Sequence, residues 1–311
     1  MSKIPRCEAI PVPDHAFSLR VDGIERTRWH FAPTYPGPFF YPLLGPSGEP
    51  LTRMGHPGAQ NHDHHRSVWF AHNKVMGIDF WSMNMPGTIR QHLWYVLEDG
   101  DDACGMAVEL HWLDGHDPRP LLKQELVAFL RPLDGGEYTL DLQSTFRPTA
   151  AELELEMTNF GFFAIRVAKS LSGHFGGGTI TGSSGKQGES ELFGTPNAWM
   201  DYSGPVPVVQ DDGSRTDVVE GITCFDHPQN PNHPAKWHVR EDGWMGPSVC
   251  RDSAILVQRD EPLVLRYLLH VHSGPVEPAR TNQLAADWLS WLDYRVVKSS
   301  RPHRQFEIER L

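Results

Sequence analysis

The sequence predicts an all-β protein, a large antiparallel β-sandwich with a C-terminal helix, built as one domain over residues 1–311. Three observations carry this expectation. Apolar and polar residues alternate with period two in many short runs, 28 glycines and 26 prolines punctuate those runs, and one late segment repeats its apolar residues at helical spacing. A chain of 311 residues can bury a large core, and all-β folds of that size often form one unit.

The elements follow in order. Alternation is clearest in Tyr138-Thr-Leu140-Asp-Leu142-Gln-Ser144-Thr-Phe146, which ends at the turn signal Arg147-Pro148-Thr149. Residues 17–21, 67–70, 91–97, 106–112, 123–130, 153–157, 162–167, 216–225 and 254–258 read as strands in the same way. In the strand 263–272, alternation sends Leu265, Tyr267, Leu269 and Val271 to one face and Arg266, Leu268, His270 and His272 to the other. Residues 211–217 read as a hairpin tip. After Pro278, residues 279–296 place Leu284, Trp288, Trp291 and Leu292 on one helical face. The glycine-rich stretch 173–188 lacks the GxxxxGK[ST] order of a phosphate loop and reads as a flexible loop. Residues 299–311 fit either an extra strand or a tail.

Charge and composition exclude several functions. The net charge of −11, from 28 Lys plus Arg against 39 Asp plus Glu, and the scattered basic residues argue against a nucleic-acid groove. Cys7, Cys104, Cys224 and Cys250 form no CxxC pair, so neither a zinc knuckle nor a disulfide framework is signalled, and a reducing compartment fits. No apolar run reaches the roughly 18 to 20 residues of a membrane span, and the start of the sequence has no signal-peptide core. A cytoplasmic protein without nucleic-acid or membrane partners is expected, and a homo-oligomer is compatible with the sequence.

Four constellations could carry chemistry. Residues 56–81 hold five of the seventeen histidines together with Arg66, Trp69, Asp79 and Trp81. Histidine titrates nearest neutrality and is the commonest metal ligand, so this block implies proton transfer or a bound cation. Residues 58–66, Gly-Ala-Gln-Asn followed by His62-Asp-His64-His65-Arg66, read as a loop leading into the strand at 67–70. The second constellation is Trp199-Met-Asp201-Tyr202-Ser203, where an acid between aromatics could serve as base or acid, or could simply accept hydrogen bonds at a turn. The third is Asp226-His227-Pro-Gln-Asn230-Pro-Asn-His233-Pro with Trp237, His238 and Arg240, in which prolines stiffen a loop that either presents a ligand site or only builds turns. The fourth is the face carrying Arg266, His270 and His272, which reads as the floor of a polar cleft, with surface exposure competing for Arg266.

With these segments in order, the chain resembles the PmoA-like family, a bacterial family labelled for methane oxygenase. The resemblance rests on YPLLGPSGEPLTR, HDHHRSVWFAHNKVMGIDFW, AIRVA, WMDYSG, FDHPQNPNHPAKWHVR and LRYLLHVHSG, which cover most of residues 39–274. A mean hydropathy of −0.42 without a spanning run rejects the methane-oxygenase label on physical grounds. The resemblance implies a β-supersandwich similar to galactose mutarotases and, because family members are often encoded near sugar oxidoreductases, a role in sugar catabolism. It also implies candidate site residues: His64, His65, Arg66, Trp69, Asp79, Trp81, Arg166, Trp199, Asp201, Tyr202, His227, Asn230, Trp237, Arg240 and His272. The late glutamate that serves mutarotases as base has no clear counterpart, since Glu261 and Glu277 lie at strand or loop ends.

Three functions follow as expectations. The first is an enzyme moving a proton on a sugar or oxidised keto sugar, of epimerase, mutarotase or lyase type. His65, Asp201, His227 and His272 are its catalytic candidates, and Arg66 and Arg240 stabilise developing negative charge. No cofactor is expected for it. The second is a metal-dependent hydrolase or lyase with a divalent ion on His62, His64, His65 and either His227 or His272. The third is a non-catalytic carbohydrate-binding protein, its tryptophans stacked on sugar rings.

Overall fold

The computed structural model describes residues 4–56 and 62–311. In chain order its strands begin with β1 (Cys7–Val12), β2 (Ala16–Val21), β3 (Ile24–His30), β4 (Phe39–Leu43), β5 (Val68–Ala71), β6 (Thr88–Glu98) and β7 (Cys104–Leu113). They continue with β8 (Leu122–Pro132), β9 (Tyr138–Pro148), β10 (Glu152–Leu155), β11 (Phe162–Arg166), β12 (Thr179–Gly182), β13 (Trp199–Val209) and β14 (Arg215–Asp226). The remainder are β15 (Trp237–Arg240), β16 (Trp244–Pro247), β17 (Ile255–Gln258), β18 (Leu263–Ser273), β19 (Tyr294–Lys298) and β20 (Phe306–Arg310), with helices α1 (Glu189–Leu192) and α2 (Pro278–Trp288). Neither helix is long and apolar enough to cross a membrane.

Two antiparallel eight-stranded sheets form the sandwich, so the all-β expectation holds. The first runs β1-β2-β3-β4-β5-β11-β16-β15 and the second β12-β13-β14-β18-β9-β8-β7-β6. Alternation explains their contact: Phe40, Val68, Phe70, Phe163 and Met245 of the first sheet join Met200, Tyr202, Leu265, Tyr267 and Leu269 of the second in one continuous apolar core. The intervening residues therefore point outward on both sides. Every functional group in the sandwich is sorted by that rule.

The outward face of the second sheet is covered. α2 lays Trp288 and Leu284 against Trp199, Phe225 and Leu268, while Tyr294 of the β19–β20 hairpin packs on Val127 and Phe129. Beneath this cover lies a polar layer. Arg266, 2% exposed, pairs with the fully buried Asp141 at 3.0 Å and with Asp293 at 2.9 Å, so the surface alternative for this arginine is overturned. Asp141 also accepts from Trp288 Nε1 at 3.0 Å and from the Tyr294 hydroxyl at 2.8 Å.

Two local expectations are corrected. The helix expected over 279–296 stops at Trp288, and Leu292 is exposed. The next bonds, Ser290 N to Asp287 O and Trp291 N to Trp288 O, close tight i to i+3 turns, and the β-branched pair Val296-Val297 then favours the extended hairpin strand β19. The glycine-rich stretch is not simply loose, because β12 lies within it at the sheet edge. A Cβ at Gly176 would fall 2.1 Å from the Ser170 carbonyl oxygen, and one at Gly178 would fall 1.9 Å from that of Leu171. These glycines permit close backbone packing.

Candidate functional site

The outward face of the first sheet carries the histidine block. Ser67 adopts φ 54°, a left-handed conformation that is unusual for a residue with a side chain. Three hydrogen bonds hold it: its N–H donates to Arg53 O, its carbonyl accepts from Arg166 N, and its hydroxyl donates to Thr52 Oγ1, which also accepts from Leu43 N. This turn sets the His65 ring back over Trp69, the next outward residue of β5. Strain of this kind persists only where the surroundings fix it, and it concentrates at binding and catalytic positions.

His65 is stacked between two indoles, 5.6 Å from Trp69 and 5.5 Å from Trp244, with interplanar angles of 27° and 14°. Trp81 closes the cluster at 5.3 Å from Trp69 and 5.8 Å from Trp244. His64 touches His65 edge-on at 4.4 Å, and His62 sits 5.3 Å from His65 and 5.5 Å from His56. Arg66 packs over the Tyr35 ring at 5.6 Å, and a cavity of about 20 Å³ lies between His64, Arg66, Trp69 and Trp81. That volume suits a single water.

Arg166 follows Ala164 outward on β11, is fully buried, and pairs through Nη1 with Asp242 Oδ1 at 2.7 Å. Asp242 stands in the turn between β15 and β16. Its Oδ2 lies 3.1 Å from His56 Nε2 and 3.5 Å from Arg240 Nε, and its carbonyl accepts from Arg53 Nη2 at 2.8 Å. The Tyr202 hydroxyl, pointing from the core, donates to Arg240 O and fixes that turn. Arg166, Arg240 and His56 thus contact one partly buried carboxylate while Arg53 holds its backbone carbonyl, which gathers three arginines on one face of a protein of net charge −11.

The electrostatics follow from burial. Burial above all, helped by His64 and Arg166, pushes the His65 imidazole far below its usual range, so it stays neutral. Burial likewise lowers His238, beside Trp244, to about 4. Burial pushes Asp242 up, but its hydrogen bond and charge contact with Arg166, assisted by Arg240 and His56, outweigh this and hold it below the ordinary carboxylate range. Several buried side-chain atoms here have no hydrogen-bond partner: His56 Nδ1, His65 Nδ1, Trp69 Nε1, Trp244 Nε1, and Arg166 Nε and Nη2. Buried polar groups are rarely left so, and six such atoms on one face single it out as the candidate site.

The structure divides the expected site. His64, His65, Arg66, Trp69, Trp81, Arg166 and Arg240 gather here; residues 57–61 of the same block lie outside the described residues. Asp79 caps the turn before Trp81 by accepting from Trp81 N at 2.7 Å and Ser82 N at 2.9 Å. Asp201, His272, His227 and Trp199 do not join His65. Alternation along β13 and β18 sends Trp199, Asp201 and His272 to the outward face of the second sheet, and His227, just after β14, lies on that side against α2, with the whole sandwich between. There His272 Nε2 lies 2.8 Å from Asp201 Oδ2, which also accepts from Thr223 Oγ1 at 2.8 Å, and Ser203 donates to the other oxygen. The His227 ring meets Trp288 edge-on at 4.8 Å.

Three more expected residues have structural partners. Asn230 donates to Asp226 Oδ1 and Arg266 O and accepts from Arg266 N, each at 2.8 Å, pinning the proline loop to β18. Trp237 and Tyr202 point into the core, where Trp237 Nε1 donates to Asn197 O at 2.8 Å. The expected cleft floor of Arg266, His270 and His272 is a covered polar layer. The metal set of His62, His64 and His65 with His227 or His272 is divided in the same way.

The Asp201–His272 pair makes a pH prediction. Burial lowers His272, but the hydrogen bond and charge of Asp201 outweigh it and raise the imidazole above its usual value. A raised histidine contributes stability that is complete below the unfolded value of about 6.5 and is lost as pH rises through the folded one. The stability difference between the native protein and His272→Ala, from urea unfolding, is expected to shrink as pH rises from 6 to 9. A difference that is flat or grows would refute the pairing.

Sequence reasoning missed Asp242, Trp244 and the role of His56. Asp242 sits in Glu-Asp-Gly, which reads as a solvated turn, and its partner Arg166 is 76 residues away. A model of a family of unknown function, DUF6807, matches residues 16–286. The chain belongs to the DUF6807 family. The family's description names no activity and does not carry the PmoA label. No curated protein matches this DUF6807 chain. Among solved structures it is similar to 4-α-glucanotransferase from Thermococcus litoralis, at 8% identity and TM-score 0.30 over 88% of this chain and 40% of that one. It is also similar to a mutarotase candidate from Salmonella typhimurium, at 12% identity and TM-score 0.33 over 86% of this chain and 94% of that one. The chain thus spans less than half of the first protein, and activity has to be argued from the site itself.

Proposed function

We propose that this DUF6807 protein is a carbohydrate-active enzyme that moves a proton on a sugar or keto sugar at the outward face of its first sheet. The observation that carries the reading is the open edge of Arg166. Its Nη1 is committed to Asp242, while Nε and Nη2, both buried, have no partner. That edge is a planar two-donor fork suited to a pair of oxygens or to one oxygen that gains charge during reaction.

The neighbours complete the chemistry. Trp69, Trp81 and Trp244, 3–6% exposed, pack as an apolar cluster that would back the C–H side of a sugar ring. His56 is the proton acceptor of this reading: Asp242 Oδ2 holds its Nε2–H and leaves Nδ1, buried and without a partner, as the basic nitrogen. His65, held neutral between indoles, positions the substrate, and the proton-transfer role expected for it passes to His56. Epimerisation, mutarotation and elimination share the steps required here: a proton leaves carbon or oxygen while a neighbouring oxygen gains charge that the arginine fork stabilises.

The test is incubation with a panel of sugars and 3-keto sugars followed by NMR. Conversion or hydrogen–deuterium exchange at a ring carbon is expected, with turnover reduced by about 10² or more in His56→Ala. Ligand binding without conversion or exchange would make the protein a binder. Unchanged turnover in His56→Ala would remove His56 from the mechanism.

A further inference from the structure

On the other sheet, far from this site, the outward face of β6 and β7 gathers His92, Glu109 and His111, whose ligand atoms all lie within 4.8 Å of one another. The backbone explains the grouping. Glu109 and His111 are two apart on β7 and share the outward face, Leu110 between them pointing into the core. Opposite, the register slips between Gln91 and Leu93, so His92 is an extra residue in β6 and is displaced toward that pair. Bulges of this kind re-aim side chains.

We propose that His92, Glu109 and His111 form a binding site for a divalent transition-metal ion, with Zn²⁺ the best match. Two imidazole nitrogens and one carboxylate oxygen are a zinc donor set of the type that leaves a position open. Glu109 Oε1 and His111 Nε2 are already 2.6 Å apart, and the His92 ring lies 4.1 Å from that of His111 at 15°. Tetrahedral zinc with bonds near 2.1 Å sets its ligand atoms about 3.4 Å apart. His92 is exposed and needs only a side-chain rotation to converge.

The surroundings are arranged as for a metal ligand. The Tyr95 hydroxyl donates to Glu109 Oε2 at 2.6 Å, which orients the carboxylate and leaves Oε1 facing the histidines. Lys123 Nζ lies 3.5 Å from Oε1 and is about half exposed, free to swing away as the ion enters. Glu109 also lines a groove of about 660 Å³ shared with Glu125, Arg147, Asp293 and Arg295, so open space borders its carboxylate.

The test uses the full-length protein, stripped with chelator and titrated with Zn²⁺ by calorimetry. One saturable site is expected, weakened at least about tenfold in His92→Ala and in His111→Ala. Both positions lie on the surface side of the sheet, and circular dichroism checks that the variants keep their fold. His62→Ala leaves the affinity unchanged if the assignment is right. Absence of saturable binding, or a site that His62→Ala weakens and His111→Ala does not, overturns the proposal without touching the reading of the Arg166 site.

Discussion

Asp141→Ala is expected to destabilise the protein by about 3 to 5 kcal/mol, because it removes one partner of a buried ion pair and strands the other. Asp141 is fully buried and takes bonds from Arg266, Trp288 and Tyr294, so one carboxylate ties the central strand β9 to β18, α2 and the β19–β20 hairpin. Arg266 would keep one carboxylate partner, Asp293, which is about half exposed, and its bond to the Trp291 carbonyl. Urea unfolding measures the loss, and limited proteolysis between α2 and β19 is expected to accelerate. Replacing both partners, as Asp141→Leu with Arg266→Leu, is expected to be milder than Asp141→Ala alone, since no uncompensated charge remains. Equal damage from the single and double variants would show that packing, not charge, dominates this layer.

Arg166→Met is expected to abolish function at the candidate site with the sandwich retained. Methionine fills much of the arginine stem's volume and removes the fork. If Arg166 stabilises an oxygen that gains charge during reaction, turnover should fall by about 10² to 10³ on the substrate identified by NMR. Arg166→Lys discriminates further: it keeps the charge and loses the planar two-donor edge, so it should recover little. Full activity in Arg166→Lys would mean that charge alone suffices. Full activity in Arg166→Met would remove the central observation behind the proposed function.

Much of the fold was legible because alternation is a local rule. Leu265, Tyr267, Leu269 and Val271 read as one face and all enter the core. The same rule set Arg266, His270 and His272 on the opposite face, yet it could not say what lies over that face. The cover comes from α2 and the β19–β20 hairpin, and α2 itself was overextended because apolar spacing alone does not register the extended preference of Val296 and Val297. The site was half legible for a related reason. A dense block such as His64, His65, Arg66 and Trp69 announces itself, whereas Asp242 is an ordinary turn acid until Arg166 is placed beside it. Asp201 and His227 were drawn into the same cleft because composition shows which residues suit chemistry without showing which side of a sheet they occupy.

The polar layer under α2 also bears on how the chain matures during synthesis. Asp141 is made long before the groups that satisfy it, since Arg266, Trp288 and Tyr294 follow it by 125, 147 and 153 residues. At ribosomal rates of about 5 to 20 residues per second, that strand waits on the order of ten seconds with a carboxylate aimed at partners not yet synthesised. Contacts of such long sequence separation also form slowly once they are available. While it waits, an unpaired charge on that face raises the cost of burying the half-built sheet against another nascent chain.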